Sequence, residues 1–131
     1  MPPVSVTPIY TALLAFILIA LSLRVIGSRI HERVSLGDND SKQLRKRIRA
    51  QGNFVEYVPI GLFLMLLLEL QGLHQTWLHL LGATLLVGRI LHAVGVSSTP
   101  SRFLLRRIGA LLTFIQLFAA AVLALFPGVF L

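Results

Sequence analysis

Apolar residues run almost unbroken through four stretches of this chain, and polar residues gather between them. The stretches are Ile9–Gly27, Phe54–Leu73, Trp77–Val96 and a last one from Ile108 to about position 128. Roughly twenty apolar residues, rising about 1.5 Å each as a helix, cover the ~30 Å hydrocarbon layer of a bilayer. The runs are continuously apolar and do not alternate, which argues against the strands of a membrane barrel. Met1 to Thr7 carries no basic residue and no small-x-small cleavage site follows, so the first stretch reads as a retained anchor. The pattern predicts an all-α fold, one integral membrane four-helix bundle over residues 1–131.

The connections differ in kind. Residues 28–52 form a polar segment centred on Gly37-Asp38-Asn39-Asp40-Ser41, a turn cluster and helix start signal. Gln71–Thr76 is short, and Ser97–Arg107 contains Ser-Ser-Thr-Pro-Ser followed by basic residues. The first connection carries Arg29, Arg33, Lys42, Arg45, Lys46, Arg47 and Arg49, and the third carries Arg102, Arg106 and Arg107. The second connection and both termini carry no Lys or Arg. By the positive-inside rule the first and third connections face the cytoplasm and both chain ends face outward.

Composition narrows the class further. With 56% hydrophobic and 13% charged residues, the chain departs from a soluble domain, in which about a quarter of residues are charged. A water-soluble fold of this size has too little interior for that apolar content, and disorder requires the opposite composition. The net charge of +7 invites a nucleic-acid reading. The basic residues flank membrane spans, however, where they orient the protein and meet anionic lipid, and no aromatic interleaving accompanies them. Nucleic acid is therefore not an expected partner. There is no cysteine, so any thiol chemistry uses a thiol brought by a substrate. His31, His74, His79 and His92 are scattered without zinc spacing, and no metal is expected.

Charges inside apolar spans are costly and mark candidate sites. Arg24, near the inner end of the first span, can snorkel to the interface. Glu69, near the outer end of the second, is expected to reach Gln71 or the outer headgroups in a structural role. Glu56 and Arg89 lie at similar depth from the inner side, Arg89 on the order of 10 Å in. They can meet as a buried ion pair or line a polar pocket. Arg49, Asn53 and Glu56, at i, i+4 and i+7, form one helical stripe that Arg45 extends by a turn, while Arg89 and His92 share a face at i, i+3. Both charge signs at one depth on two helices suit a ligand carrying carboxylates and an amine.

The run Arg49-Ala50-Gln51-Gly52-Asn53-Phe54-Val55-Glu56-Tyr57-Val58-Pro59 resembles the R-A-x-x-N-x-x-E-x-x-P signature of the MAPEG family, membrane-associated proteins in eicosanoid and glutathione metabolism. Val25-Ile26-Gly27-Ser28-Arg29, continuing to Arg33-Val34-Ser35, resembles the end of that family's first helix, and Gly88-Arg89-Ile90-Leu91-His92 its third-helix motif. The likeness is greatest to short bacterial members, which implies a bacterial inner membrane. It also implies a homotrimer that binds glutathione between subunits near the cytoplasmic side. Arg29, Arg49, Asn53, Glu56, Arg89 and His92 would then line the glutathione site, with Glu56 on the γ-glutamyl amine and Arg49 on a carboxylate. An arginine starting the fourth helix, Arg102 or Arg106, would stabilise the thiolate.

A glutathione thiol with pKa near 8.5 is mostly protonated at neutral pH, and a guanidinium aimed at the sulfur lowers that value. The expected function is a glutathione-dependent transferase or peroxidase acting on lipophilic electrophiles or lipid hydroperoxides. Several members place a tyrosine where this chain has Val96, and its tyrosines are Tyr10 and Tyr57. That departure leaves a non-catalytic lipid-binding or scaffold protein of the same fold as the alternative. A small four-helix transporter fits less well, because such transporters carry a glutamate in the first span and this chain has none there.

Overall fold

The computed structural model describes residues 3–98, 100 and 102–130; Thr99 and Ser101 of the third connection lie outside the described residues. Four long helices, α1 (Thr7–Glu32), α2 (Lys42–Leu70), α3 (Gln75–Ser97) and α4 (Phe103–Leu125), are followed by a short α5 (Pro127–Phe130). Each of the four long helices is long and apolar enough to cross a membrane, and the described residues contain no strand.

Both α1 and α2 run past the apolar stretches that announced them. At 29 residues, α2 is about 43 Å long, more than the hydrocarbon layer needs, so its first turns project beyond it. The polar segment 28–52 is therefore mostly helix, and the true connection is residues 33–41. Local chemistry sets both of its edges. The α1 helix ends where Arg33 turns left-handed (φ 56°, ψ 44°), with the Arg33 and Val34 amides donating to Ile30 and Arg29 in a Schellman arrangement. The Ser41 side chain starts α2 by accepting from the Leu44 amide at 3.2 Å. Between them, Asp38 Oδ1 accepts from the Asp40 amide at 3.0 Å, and Asn39 and Asp40 take positive φ. Asp38 Oδ2 also accepts from Arg45 Nε at 2.8 Å, which holds the carboxyl below its ordinary pKa.

The α3–α4 pair is the most extensive helix contact, and glycines make it possible. A methyl at Gly88 would stand 3.0 Å from the Gly109 carbonyl oxygen, and one at Gly95 would stand 2.9 Å from the Arg102 carbonyl oxygen. A methyl at Gly109 would drive into the backbone of His92. Small residues let two membrane helices approach this closely, where lipid offers no hydrophobic incentive to pair.

The opposite end of the bundle closes on Glu69. Its carboxylate accepts from the backbone amides of Ser5, Val6 and Thr7 at 2.6, 2.7 and 2.7 Å. Val6, at the N-cap of α1, offers no side-chain cap of its own. An acid from α2 therefore satisfies the orphan donors and the positive end of the α1 dipole. This corrects the expectation that Glu69 reaches Gln71 or headgroups: bare helix amides in an apolar setting are the stronger demand. Nearby, the Tyr10 hydroxyl lies 3.0 Å from His79 Nδ1, and Tyr10 fills the space left by Gly82. Buried Val6, Met65, Leu68, Leu73, Leu78, Leu81 and Ala120 pack beneath them.

Candidate functional site

The basic end gathers the C-termini of α1 and α3 with the N-termini of α2 and α4. Its polar side chains fall on separate faces of α2, and 100° per residue explains the division. Positions 47, 51, 54 and 58 face α1. Arg47 Nη1 donates to Ser28 Oγ at 2.6 Å and to the Arg24 carbonyl at 3.3 Å, and Gln51 Nε2 donates to Ser22 Oγ at 2.9 Å. Arg49, Asn53 and Glu56 lie roughly half a turn round from that seam. Arg49 Nη1 approaches Glu56 Oε1 at 3.6 Å, with the two side chains 55% and 48% exposed. Asn53 sits between them, its Oδ1 buried and without a partner.

Glu56 stands in an otherwise apolar exposed face of α2 that includes Val55, Ile60, Phe63 and Leu67. A half-exposed carboxylate among lipid-facing side chains is an expensive arrangement for an isolated bundle. A hollow of about 340 Å³ adjoins the stripe, lined by Lys42, Arg45, Lys46, Arg49, Val96 and Arg106. Arg106 thus shares a hollow with Arg49. Arg102 does not line it; its backbone amide instead donates to the Gly95 carbonyl at 3.0 Å.

Arg89 and His92 lie deeper and form a second group. Arg89 is 1% exposed, and His92 is also buried. Arg89 Nη1 reaches Thr113 Oγ1 at 3.5 Å, Nη2 lies 3.4 Å from His92 Nδ1, and Nε is buried without a partner. The guanidinium carbon stands 5.7 Å from the centre of the Phe54 ring, a cation–π contact. The possible Glu56–Arg89 ion pair is not formed. Glu56 turns outward to Arg49, and Phe54, roughly half a turn round α2, takes the place beside Arg89.

Arg29 belongs to a different face. Its Nη1 donates to the Gly37 carbonyl at 2.7 Å, and it lines a shallow hollow with Ile26, Ile30 and Arg33. Within one chain, Arg29 is therefore not brought to the Arg49–Glu56 stripe. Sequence reasoning passed over Thr113 and Gln116, which are buried on α4. Gln116 Nε2 donates to the Gly61 carbonyl at 3.3 Å while its Oε1 has no partner. Their i, i+3 spacing inside an apolar span was the available signal, hidden because neither residue is charged. Among the described residues no cluster of His, Cys, Asp or Glu could hold a metal ion.

This geometry can be set beside known proteins. The profile of the MAPEG family matches residues 7–126. The chain belongs to the MAPEG family. It is 39% identical over 90 residues to the inner membrane protein YecN of Escherichia coli strain K12, covering 69% of each chain. The same protein from E. coli O6:H1 matches equally. With four helices of spanning length, this MAPEG chain is a multi-pass membrane protein of the bacterial inner-membrane type.

Proposed function

We propose that this MAPEG protein binds glutathione at its basic end and activates the thiol against a lipophilic electrophile or lipid hydroperoxide. One observation carries the reading. The Arg49–Asn53–Glu56 stripe lies open on an otherwise apolar face, with charges of both signs loosely paired and a buried amide oxygen unsatisfied. Glutathione carries the complementary groups: two carboxylates, an ammonium and peptide N–H donors. Glu56 takes the ammonium, Arg49 a carboxylate, and Asn53 Oδ1 an N–H. Arg106, in the hollow with Arg49, is the guanidinium assigned to the sulfur, and Arg89 with His92 backs the site.

The exposed stripe also supports a homotrimer. A second copy seated on this face would remove Glu56 from lipid, and it could bring its own Arg29, which is remote from the stripe within one chain. The charge map orients the basic end to the cytoplasm, with both termini outside. On the α1 side of α2, away from that chain's own stripe, an apolar hollow of about 280 Å³ lined by Leu14, Leu18, Phe54, Val55, Val58 and Pro59 among others suits a lipophilic co-substrate.

The chemistry then follows from the thiolate. Its sulfur attacks an electrophilic carbon, and the C–S bond forms as the leaving group departs with its electron pair. With a hydroperoxide, attack on the outer oxygen breaks the O–O bond and gives an alcohol and a glutathione sulfenic acid. A second glutathione then converts the sulfenic acid to the disulfide and releases water. Val96, buried on the wall of the hollow, offers no hydroxyl to either route, so the arginines carry the thiolate alone. Isothermal titration of the detergent-purified protein with glutathione tests the reading. Saturable binding that Glu56→Gln and Arg49→Ala each weaken by about tenfold or more supports it, and absence of binding in the wild type overturns it.

A further inference from the structure

On the other side of α2 the structure holds a second hollow, of about 400 Å³, lined by Arg24, Lys42, Gln43, Lys46, Arg47 and Ser97. Four of these six residues are cationic and none is acidic. Two polar atoms on its lining residues, Arg47 Nε and Ser97 Oγ, are buried and have no hydrogen-bond partner. The Arg47 side chain is already fixed by its bonds to Ser28 and the Arg24 carbonyl, and Lys46 Nζ is held 3.3 Å from the Ser98 carbonyl. Arg47 and Lys46 are therefore positioned by the junction of α1, α2 and α3, beside Arg24 and Lys42. Held together with unsatisfied donors and no counter-charge, they repel one another until an anion enters.

From these observations we infer that the hollow is a binding site for the phosphate of an anionic lipid headgroup from the leaflet that meets the basic end. Phosphate matches the donor set: a diester or monoester oxygen can take Arg47 Nε and Ser97 Oγ while the lysines neutralise the charge. The depth of Arg24 selects lipid over a soluble anion. Arg24 lies within the first apolar stretch, three residues before its end at Gly27 or about 4.5 Å along the helix, so a ligand touching Arg24 sits at the edge of the hydrocarbon layer. Basic pockets between spanning helices take anionic headgroups in this way. The site is distinct from the proposed glutathione stripe, although Lys42 and Lys46 line both hollows and place the two ligands side by side.

The inference is tested by native mass spectrometry and thermal melting of the full chain, delipidated in a neutral detergent. The protein is titrated with phosphatidylglycerol, phosphatidylcholine or inorganic phosphate. Phosphatidylglycerol is expected to be retained and to raise the melting temperature, with phosphatidylcholine and inorganic phosphate giving neither effect. Arg24→Gln and Lys46→Gln should each weaken retention about fivefold, and the double variant about twenty-five-fold. Arg107→Gln removes an exposed charge outside the hollow and should leave retention unchanged. Circular dichroism establishes that each variant is folded. Equal retention of the two lipids, or an Arg107→Gln loss matching that of Arg24→Gln, overturns the assignment. A response to inorganic phosphate equal to that for phosphatidylglycerol overturns the lipid source. These outcomes do not depend on whether the protein binds glutathione.

Discussion

The two ends of the bundle satisfy their buried polar groups to very different degrees. At one end the Glu69 carboxylate accepts three amides within 2.7 Å and closes the start of α1 onto the end of α2. One buried polar atom there, Thr7 Oγ1, lacks a partner, against four at the basic end: Arg47 Nε, Asn53 Oδ1, Arg89 Nε and Ser97 Oγ. A single chain cannot keep many such groups for stability alone, because each unsatisfied one costs about 1–3 kcal/mol. The contrast separates a charge used for folding from charges held ready for something outside the chain.

The largest effect should come from the satisfied end. Glu69→Leu orphans three amides and should cost about 3 kcal/mol or more, at about 1–3 kcal/mol for each. Chemical denaturation would read that loss, and hydrogen exchange at Ser5–Thr7 would localise it. At the basic end the effect should fall on ligand binding. Glu56→Gln or Arg49→Ala should weaken glutathione binding by roughly 10- to 150-fold, the worth of one charge-assisted hydrogen bond of about 1.5–3 kcal/mol. Because the pair is half-exposed and loose, unfolding free energy should move by less than about 1 kcal/mol. Asn53→Leu sharpens the test by removing an already unpaired oxygen: glutathione affinity should fall while the melting temperature holds or rises.

Between the ends, Gly109→Ala forces α4 away from the backbone of His92 and should destabilise by about 1–3 kcal/mol. Dissociation of the helix pair in graded detergent would measure it. The smallest effect belongs to the exposed loop. Asp38 has a depressed folded pKa, so any stability it adds is present above the ordinary carboxylate value and is lost as pH falls through the folded one. Asp38→Asn should lower neutral-pH stability slightly, the pair being exposed, and the acid-side step in a pH series should vanish with it.

Much of this architecture can be read from residue order. Four apolar runs announced four helices, because the bilayer rewards continuous apolar length. The stripe of Arg49, Asn53 and Glu56 follows from helical spacing alone. Loop bounds were less legible: hydropathy puts the cation-rich residues 42–49 in the connection, whereas the helix start signal ending at Ser41 and the stripe through Arg45 put them in α2, where they lie. Partner choice was less legible still. Glu56 and Arg89 matched in depth, but depth says nothing of rotation about α2, and Phe54 occupies the face that meets Arg89. Glu69 was misplaced for a similar reason, since its partners are backbone amides that no side-chain pattern advertises.

The most direct test of this division of labour is a glutathione-induced thermal shift measured on the wild type, Glu56→Gln and Glu69→Leu. Glutathione should raise the melting temperature of the wild type. Glu56→Gln should lose the rise at an unchanged starting melting temperature, while Glu69→Leu should start far lower. A wild type unmoved by glutathione, or a Glu56→Gln protein that starts as low as Glu69→Leu, would contradict that division of labour.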